Sequence, residues 1–187
     1  MLGNKPKFAD EKKYFDLMIS ELDRANTLIS DFLSLARDTP AELEPFNLGQ
    51  IVEDIFPLLQ ADAFNVGKNI EIEKHPTPDI NINKKEIHQL IFNLVHNGLD
   101  AMQEGDCVTI KTFVEMGDVI LVVKDEGIGI DPSIFDKLGT PFVTSKVDGT
   151  GLGLATCYSI AKRHNAIIEV DTSSNGTTFF VRFKAAV

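Results

Sequence analysis

Three glycines at alternate positions, Gly149, Gly151 and Gly153, run directly into a helical segment and constrain the fold more than any other stretch. The stretch reads VDGTGLGLATCYSIAKRH, and glycine is this dense where a backbone turns tightly or approaches another group. The first turn of a helix also presents free N–H groups, which form a natural anion site. The segment lacks the ending of a P-loop and the spacing of a dinucleotide fingerprint. A tight turn with close helix packing explains the glycines about as well as a phosphate site.

Length, charge and cysteine content indicate a soluble protein with one main domain. The 187 residues carry a net charge of −10, which argues against binding nucleic acid through a basic patch. Cys107 and Cys157 are too few and too scattered for a disulfide framework or a metal site. No apolar run approaches the roughly 20 residues of a membrane span, and no signal peptide opens the chain. We therefore expect a cytoplasmic setting and no membrane contact by this chain.

The order of the segments predicts an α+β fold. One long helix with an apolar stripe is predicted in the segment of residues 9–37, and prolines mark a linker near Pro40–Phe46. Further helices are predicted from Asn47, from Lys84 and after the glycines. The strands include the short segment DININ and two hairpins, which turn at Gly117-Asp118 and at Ser174–Gly176. We predict a two-layer α/β sandwich, a mostly antiparallel mixed sheet with helices on one face, preceded by the long helix.

The segment DEGIGI begins with Asp125, an acid that ends an apolar strand. Gly127 and Gly129 follow it, so the backbone beside this carboxylate could pass close to a flat ligand. A carboxylate accepts hydrogen bonds from an exocyclic amine such as that of adenine. A solvated acid in a tight turn explains the segment equally well when it is taken alone.

Two asparagines lie four residues apart in the segment NLVHN of the third predicted helix. Asn93 and Asn97 therefore share a helix face, and apolar neighbours place that face near the core. Buried amides have hydrogen-bond partners, and an amide oxygen is a hard ligand that Mg²⁺ accepts. Amides that cap neighbouring loops are the simpler explanation if this segment is taken alone.

The four segments NLVHN, DEGIGI, TPFVTSK and GTGLGLA follow one another in an order that is specific, although each is ordinary alone. In this order the chain resembles the ATP-binding domain of sensor histidine kinases, within the superfamily shared with type II topoisomerases, MutL-like repair proteins and ninety-kilodalton heat-shock chaperones. The resemblance covers roughly residues 46–184. It implies a Bergerat-type ATP-binding fold, with ATP and Mg²⁺ as cofactors.

The resemblance assigns a role to each motif. Asn97 would bind Mg²⁺, Asn93 would sit by the phosphates or the metal, and Asp125 would bind the adenine amine. Lys146 would reach a phosphate from the end of a mobile lid, Asp131 to Asp148. Asn93, Asn97 and Lys146 would be the catalytic residues. The nucleotide-binding residues would be Asn93, Asn97, Asp125, Gly127, Gly129, Ile130, Thr144, Lys146, Gly149, Thr150, Gly151, Leu152, Gly153, Leu154 and Thr177.

Positions 93 and 100 distinguish branches of the superfamily, and position 98 departs from its usual residue. The ATP-hydrolysing relatives carry Glu at position 93 as the base that activates water, whereas Asn93 cannot take a proton. Asp100 stands where many histidine kinases have Lys, and an acid there is found in the nitrogen-regulation and sporulation-kinase branch. Gly98 replaces the usual Ala, which should affect only local helix stability. Asn93 thus favours a kinase over an ATPase, and Asp100 implies that one cationic phosphate contact is absent.

The phosphoacceptor histidine of such kinases has no match in this chain. An acceptor histidine is followed by an acid and, a few residues later, by a proline, and none of His75, His88, His96 and His164 has this setting. His164 ends the fourth predicted helix, where a cationic side chain would suit the helix dipole.

The segment ELDRANTLISDFLSLAR resembles the second helix of the dimerisation hairpin. We therefore predict this hairpin helix in residues 1–40 and the catalytic domain in residues 41–187, in a fragment that begins in the hairpin loop.

The resemblance implies a protein-histidine kinase. The γ-phosphoryl group of ATP would pass to a histidine on a helix not present in this chain, and from there to an aspartate of a response regulator. The full-length protein would be a homodimer, and this chain would bind ATP or ADP without phosphorylating itself. The alternatives are an ATPase or conformational clamp of the same superfamily, and a degenerate kinase that acts as an interaction module.

Overall fold

The computed structural model describes residues 12–35, 42–146 and 149–184. The chain divides into two units, Met1–Arg37 and Asp38–Val187, which are described separately. The first contains the predicted long helix, α1 (Lys12–Leu35). Eight large apolar side chains among the described residues of α1 are more than half exposed, including Tyr14 at 65% and Leu22 at 64%. Pro40, at the start of the predicted linker, lies outside the described residues.

The second unit contains seven strands and four helices in the described part of the chain. They are β1 (Glu44–Asn47), α2 (Leu48–Asn65), β2 (Asn69–Lys74), β3 (Asp79–Ile82), α3 (Lys84–Ala101), β4 (Cys107–Glu115), β5 (Asp118–Lys124), α4 (Pro132–Phe135), α5 (Gly153–Arg163), β6 (Ile167–Ser173) and β7 (Gly176–Phe183).

Five of the strands form one mixed sheet in the order β2-β4-β5-β7-β6. Only the β2–β4 pair is parallel in this sheet, and its other three pairs are antiparallel. Alternate residues of the central strands, such as Ile110, Val123 and Phe179, pack with the helices into a single core. The predicted sandwich with helices on one face is therefore confirmed.

The opposite face of the sheet carries a groove of about 790 Å³, lined by side chains that include Phe113, Val122 and Phe180. Val122 is opposite Phe180 in the β5–β7 pairing, and these residues alternate along their strands with core residues, so their side chains point away from the core. Asp125 also lines this groove, which therefore reaches one of the residues predicted to bind a ligand.

Strands β1 and β3 form a separate two-stranded antiparallel ladder, in which Phe46 is opposite Ile80. Pro45 and Phe46 belong to this ladder and not to a linker, so the predicted linker is wrong at these two residues. Proline is tolerated on an edge strand, and this ladder has two edges. The linker composition therefore did not exclude a short strand.

Two asparagines begin the helices that support the site. The side-chain oxygen of Asn47 accepts a hydrogen bond from the N–H of Gln50 over 3.3 Å, as predicted for the start of α2. Asn83 does the same for the N–H of Glu86 at the start of α3, over 3.1 Å.

His164 ties the end of α5 to the start of α3. Its Nε2 accepts a hydrogen bond from the N–H of Asn83 over 3.0 Å, and its Nδ1 lies 2.8 Å from the carbonyl oxygen of Ile160. Burial lowers the pKa of His164, and the nearby Arg163 guanidinium lowers it further, while the Ile160 carbonyl and the Glu86 carboxylate oppose this shift. The expectation of a cationic side chain at this helix end is therefore wrong, because the ring is buried as a neutral hydrogen-bonding group.

Membrane-spanning helices are absent from the described residues, since none of their helices combines sufficient length with sufficient hydropathy.

Candidate functional site

Asp125 follows the last residue of β5, and the residue is only 5% exposed. Its Oδ1 accepts two backbone hydrogen bonds, from the N–H of Gly127 over 2.9 Å and from the N–H of Thr177 over 3.1 Å. The N–H of Asp125 in turn donates to the carbonyl oxygen of Thr177 over 2.9 Å. The carboxylate is therefore fixed by β7 and by the turn that follows β5.

Burial raises the pKa of the Asp125 carboxyl group above its usual range. The hydrogen bonds from Gly127 and Thr177 and the charge of Lys146 act in the opposite direction without cancelling the effect of burial. Both backbone donors reach the same oxygen, Oδ1. An additional donor at Oδ2 would stabilise the ionised form, which is what an exocyclic amine could provide.

The turn after Asp125 is glycine-rich because the backbone passes very close to its neighbours. A Cβ atom on Gly127 would lie 2.7 Å from the carbonyl oxygen of Ala101, and one on Gly129 would lie 2.0 Å from that of Ser173. The next residue, Ile130, donates its N–H to Oγ1 of Thr172 over 2.9 Å. Thr172 was missed by the sequence analysis, since nothing in its local pattern separates it from other polar residues of β6.

Helix α3 brings the two asparagines beside this turn. A Cβ atom on Gly98 would lie 2.9 Å from Cβ of Asp125, so α3 passes directly against the carboxylate. The absence of a side chain at position 98 therefore affects this contact as well as helix stability. Asn93 lies on the same helix and donates from Nδ2 to the carbonyl oxygen of Gly153 over 3.2 Å. The helix is thus joined to the glycine-rich segment that precedes α5.

Asn97 faces a cation. Its Oδ1 lies 3.3 Å from Nζ of Lys146, and the same ammonium lies 2.8 Å from Oδ2 of Asp100. Nδ2 of Asn97 is buried and has no hydrogen-bond partner among the described residues. The amide oxygen already faces a positive charge and could serve as a ligand for a cation, whereas the amide nitrogen is free to donate to an acceptor.

The glycine-rich segment is held against the end of the predicted lid. A Cβ atom on Gly149 would lie 2.5 Å from Oγ1 of Thr144, and one on Gly151 would lie 2.5 Å from the carbonyl carbon of Phe142. The N–H of Phe142 donates to the carbonyl oxygen of Gly151 over 3.0 Å, and both residues have positive φ angles of 67°. Gly153 has more space, since the nearest atom to its Cβ position is Cγ of Asn93 at 3.9 Å.

The start of α5 has no side-chain cap. Leu152 occupies the capping position without a side-chain hydrogen bond, so the first N–H groups of the helix lack that partner. Oγ1 of Thr150 accepts a hydrogen bond from the N–H of Leu152 over 3.2 Å. Leu152 precedes α5, so this bond does not occupy an N–H group of the helix itself. This helix end therefore retains the donors that an anion could use.

The remaining predicted residues are Leu152, Leu154, Thr144 and Asp148. The side chain of Leu152 is buried and that of Leu154 packs against the core, so only their backbones could contact a ligand. Oγ1 of Thr144 accepts the N–H of Lys146 over 3.1 Å and shapes the end of the lid. Asp148, the predicted last residue of the lid, lies outside the described residues.

Metal coordination by clustered side chains is not supported in the described part of the chain, where no group of three or more His, Cys, Asp or Glu could hold an ion. Mg²⁺ does not require such a cluster, because one or two protein ligands suffice when phosphates and waters complete its shell. Asn97 fits this kind of site.

Comparison with known proteins gives one family over more than half of the chain. Residues 82–187 match the family described as histidine kinase-, DNA gyrase B-, and HSP90-like ATPases. Sporulation kinase C of Bacillus subtilis (strain 168) is 32% identical over 180 residues, which cover 94% of this chain and 42% of that protein. The chain thus spans less than half the length of this curated relative.

Solved structures share the fold. Full-length ShkA in complex with AMPPNP matches all of this chain and 42% of its own, with a TM-score of 0.81 and 24% identity. The histidine kinase ThkA in complex with the response regulator TrrA matches 98% of this chain and 53% of its own, with a TM-score of 0.77 and 23% identity.

Proposed function

The chain belongs to the family of histidine kinase-, DNA gyrase B- and HSP90-like ATPases, which confirms the resemblance, and from this membership we propose that it is the ATP-binding catalytic part of a sensor histidine kinase. It binds ATP with Mg²⁺ and transfers the γ-phosphoryl group to a histidine on a dimerisation helix that this chain does not contain. A response-regulator aspartate then receives the group. The observation that carries this proposal is the convergence of Asp125, the α3 asparagines and the glycine-rich segment on one site.

Asp125 selects the base in this proposal. Its carboxylate is held by Gly127 and Thr177 through Oδ1, so a donor on the ligand would meet Oδ2. The exocyclic amine of adenine is such a donor, whereas guanine presents a carbonyl oxygen at the corresponding position. The same fixed acceptor therefore favours adenine nucleotides.

Asn97 holds Mg²⁺ through Oδ1, which already faces the ammonium of Lys146 in this structure. When bound, Mg²⁺ neutralises charge on the triphosphate. The chain supplies backbone N–H donors at the start of α5 and the charge of Lys146. Phosphoryl transfer depends mainly on positioning and charge neutralisation, so these groups are sufficient for the protein's part of the reaction.

Asn93 favours a kinase over an ATPase. Its Nδ2 is committed to the carbonyl oxygen of Gly153, and an amide has no basic site that could activate water. Phosphoryl transfer to histidine requires that ATP in the site is spared from hydrolysis. The lack of a base at this position is consistent with that requirement.

Helix α1 serves as the second helix of the dimerisation hairpin in this proposal. Its exposed apolar residues, such as Tyr14, Leu22 and Phe32, follow a helical stripe that another helix would cover. The full-length protein is then a homodimer, with this chain as a cytoplasmic portion and residues 41–187 as the catalytic domain.

Thermal unfolding with nucleotides tests the proposal. A ligand that binds the folded state raises Tm by mass action, so ADP or ATP with Mg²⁺ should raise Tm and GDP should not. A degenerate kinase that acts as an interaction module would show no nucleotide-dependent change. An ATPase or clamp would bind the nucleotide but release phosphate continuously, which Asn93→Ala would not much change.

A further inference from the structure

The ammonium of Lys146 is held between two oxygen atoms of one helix. Nζ lies 2.8 Å from Oδ2 of Asp100 and 3.3 Å from Oδ1 of Asn97. Asn97 and Asp100 are three residues apart on α3 and therefore share a face. Lys146 reaches them from the far end of the lid, so one contact joins the lid to the helix.

The negative charge of Asp100 gives the contact between Lys146 and α3 a role in the site. The sequence analysis inferred from Asp100 that one cationic phosphate contact would be absent. The structure instead brings a cation to the same place from Lys146, whose charge also acts on the buried carboxyl group of Asp125. Asp100 thus attracts an ammonium into the centre of the site.

We propose that Asp100 is a positioning residue for Lys146, which it holds against Asn97 until a magnesium-bound nucleotide enters. This inference rests on the proposed function. In this structure the ammonium lies 3.3 Å from Oδ1 of Asn97, the atom that would face the metal. A magnesium-bound nucleotide would replace the ammonium there, and Lys146 would then be free to reach the phosphates.

The first experiment uses the chain without nucleotide and measures amide hydrogen exchange of residues 131–146. Asp100→Asn and Lys146→Met should each accelerate exchange, by up to about fivefold, which corresponds to the roughly 1 kcal/mol upper range of exposed ion pairs. The double variant should exchange no faster than the faster single variant, and Asp100→Glu should retain protection. Unchanged exchange in Asp100→Asn would overturn the inference.

A matched control is the pair Lys84–Asp54, which is separated by 2.6 Å and lies between α3 and α2. The exposure of the two lysines is close, 41% for Lys84 and 37% for Lys146, whereas Asp54 is 34% exposed and Asp100 is 60% exposed. Asp54→Asn removes one partner of an ion pair away from the lid. It should leave exchange of residues 131–146 unchanged, and acceleration there would show that any lost surface charge has the same effect.

The second experiment measures the affinity for ADP with and without Mg²⁺ by calorimetry. Asp100→Asn frees Lys146 and removes a negative charge, so Mg²⁺-free ADP should gain more affinity than Mg²⁺-bound ADP. The preference for Mg²⁺ should fall severalfold in Asp100→Asn, rise in Lys146→Met, and persist in Asp100→Glu and Asp54→Asn. If Asp100→Asn left the preference for Mg²⁺-bound ADP unchanged, the role of Asp100 would be refuted and the proposed function would still stand. If the unmodified chain bound no nucleotide, the proposed function would fail and hydrogen exchange would still decide this inference.

Discussion

Asp125 and Thr177 hold each other through two hydrogen bonds, from the N–H of Asp125 to the carbonyl oxygen of Thr177 over 2.9 Å and from the N–H of Thr177 to Oδ1 of Asp125 over 3.1 Å. This pairing fixes a buried carboxylate at a cost, because burial raises its pKa. A folded-state pKa above the unfolded value means that stability falls as the pH rises through the folded pKa. Above its folded-state pKa, the carboxyl group is ionised and the folded chain carries the full penalty of the buried charge.

Asp125→Asn should raise the Tm of the nucleotide-free chain at neutral pH. The asparagine keeps Oδ1 as the acceptor for Gly127 and Thr177 and removes the buried charge. The gain should shrink as the pH is lowered, because the aspartate of the unmodified chain then becomes neutral too. Calorimetric scans at several pH values check this, and a lower Tm at neutral pH would contradict it.

The same variant should bind ADP at least about tenfold more weakly, since a hydrogen bond to a charged group contributes roughly 1.5–3 kcal/mol. Nδ2 of the new asparagine would present a donor to the adenine amine, which is itself a donor. Titration calorimetry measures the loss. A higher Tm together with weaker ADP binding would show that Asp125 binds the ligand and does not serve to stabilise the fold. Unchanged affinity for ADP would rule out the assignment of Asp125 to adenine.

Incubation with labelled ATP and Mg²⁺ should leave no phosphohistidine on this chain, that is, no label that is lost in acid. His164 is buried, His88 and His96 lie on α3, and exposed His75 lacks the flanking residues of an acceptor. Acid and base stability of any label, read after denaturing electrophoresis, identifies phosphohistidine. Stoichiometric label on the chain alone would show that its acceptor is present after all.

His164 should make stability depend on pH below neutrality. Burial lowers its pKa, so the unfolded chain binds a proton near its ordinary value of roughly 6.5 while the folded chain does not. The free energy of unfolding should therefore fall as the pH drops below about 6.5, until the folded-state pKa is reached. His164→Gln should show a shallower fall in urea titrations between pH 7.5 and 5.5. His88, whose pKa is also lowered by burial, should account for part of the slope that remains.

Local patterns predicted much of the fold, because caps and periodicity are encoded in neighbouring residues. Asn47 begins α2 as expected, and the glycines precede α5 as expected. Contacts between distant segments were not encoded in this way. The β1–β3 ladder pairs Phe46 with Ile80, and His164 became neutral only because α3 and α5 enclose it.

For the candidate site too, local segments were predicted and contacts between distant segments were not. The order of four segments identified Asp125, Asn97 and the glycines, since each segment is short and its spacing is informative. Thr172 and the Lys146–Asp100 contact depend on which loop meets which helix, and sequence separation hides both. Family resemblance thus gave the residues that a ligand would touch more readily than the residues that hold them in place.

Gly151→Ala should lower both the affinity for ADP and the free energy of unfolding. The change in the free energy of binding should be the larger of the two. Gly151 has a φ of 67°, and a Cβ atom there would lie 2.5 Å from the carbonyl carbon of Phe142, so the glycine-rich segment and the end of the lid must separate. Gly105→Ala is the matched control, because its φ of 93° is also positive while nothing lies within 4 Å of its Cβ position. Both variants should lose about 1–2 kcal/mol from the backbone conformation, but only Gly151→Ala should lose ADP affinity as well. Equal affinities in the two variants would mean that the contact between Gly151 and Phe142 has no part in binding, and that the glycine serves the turn alone.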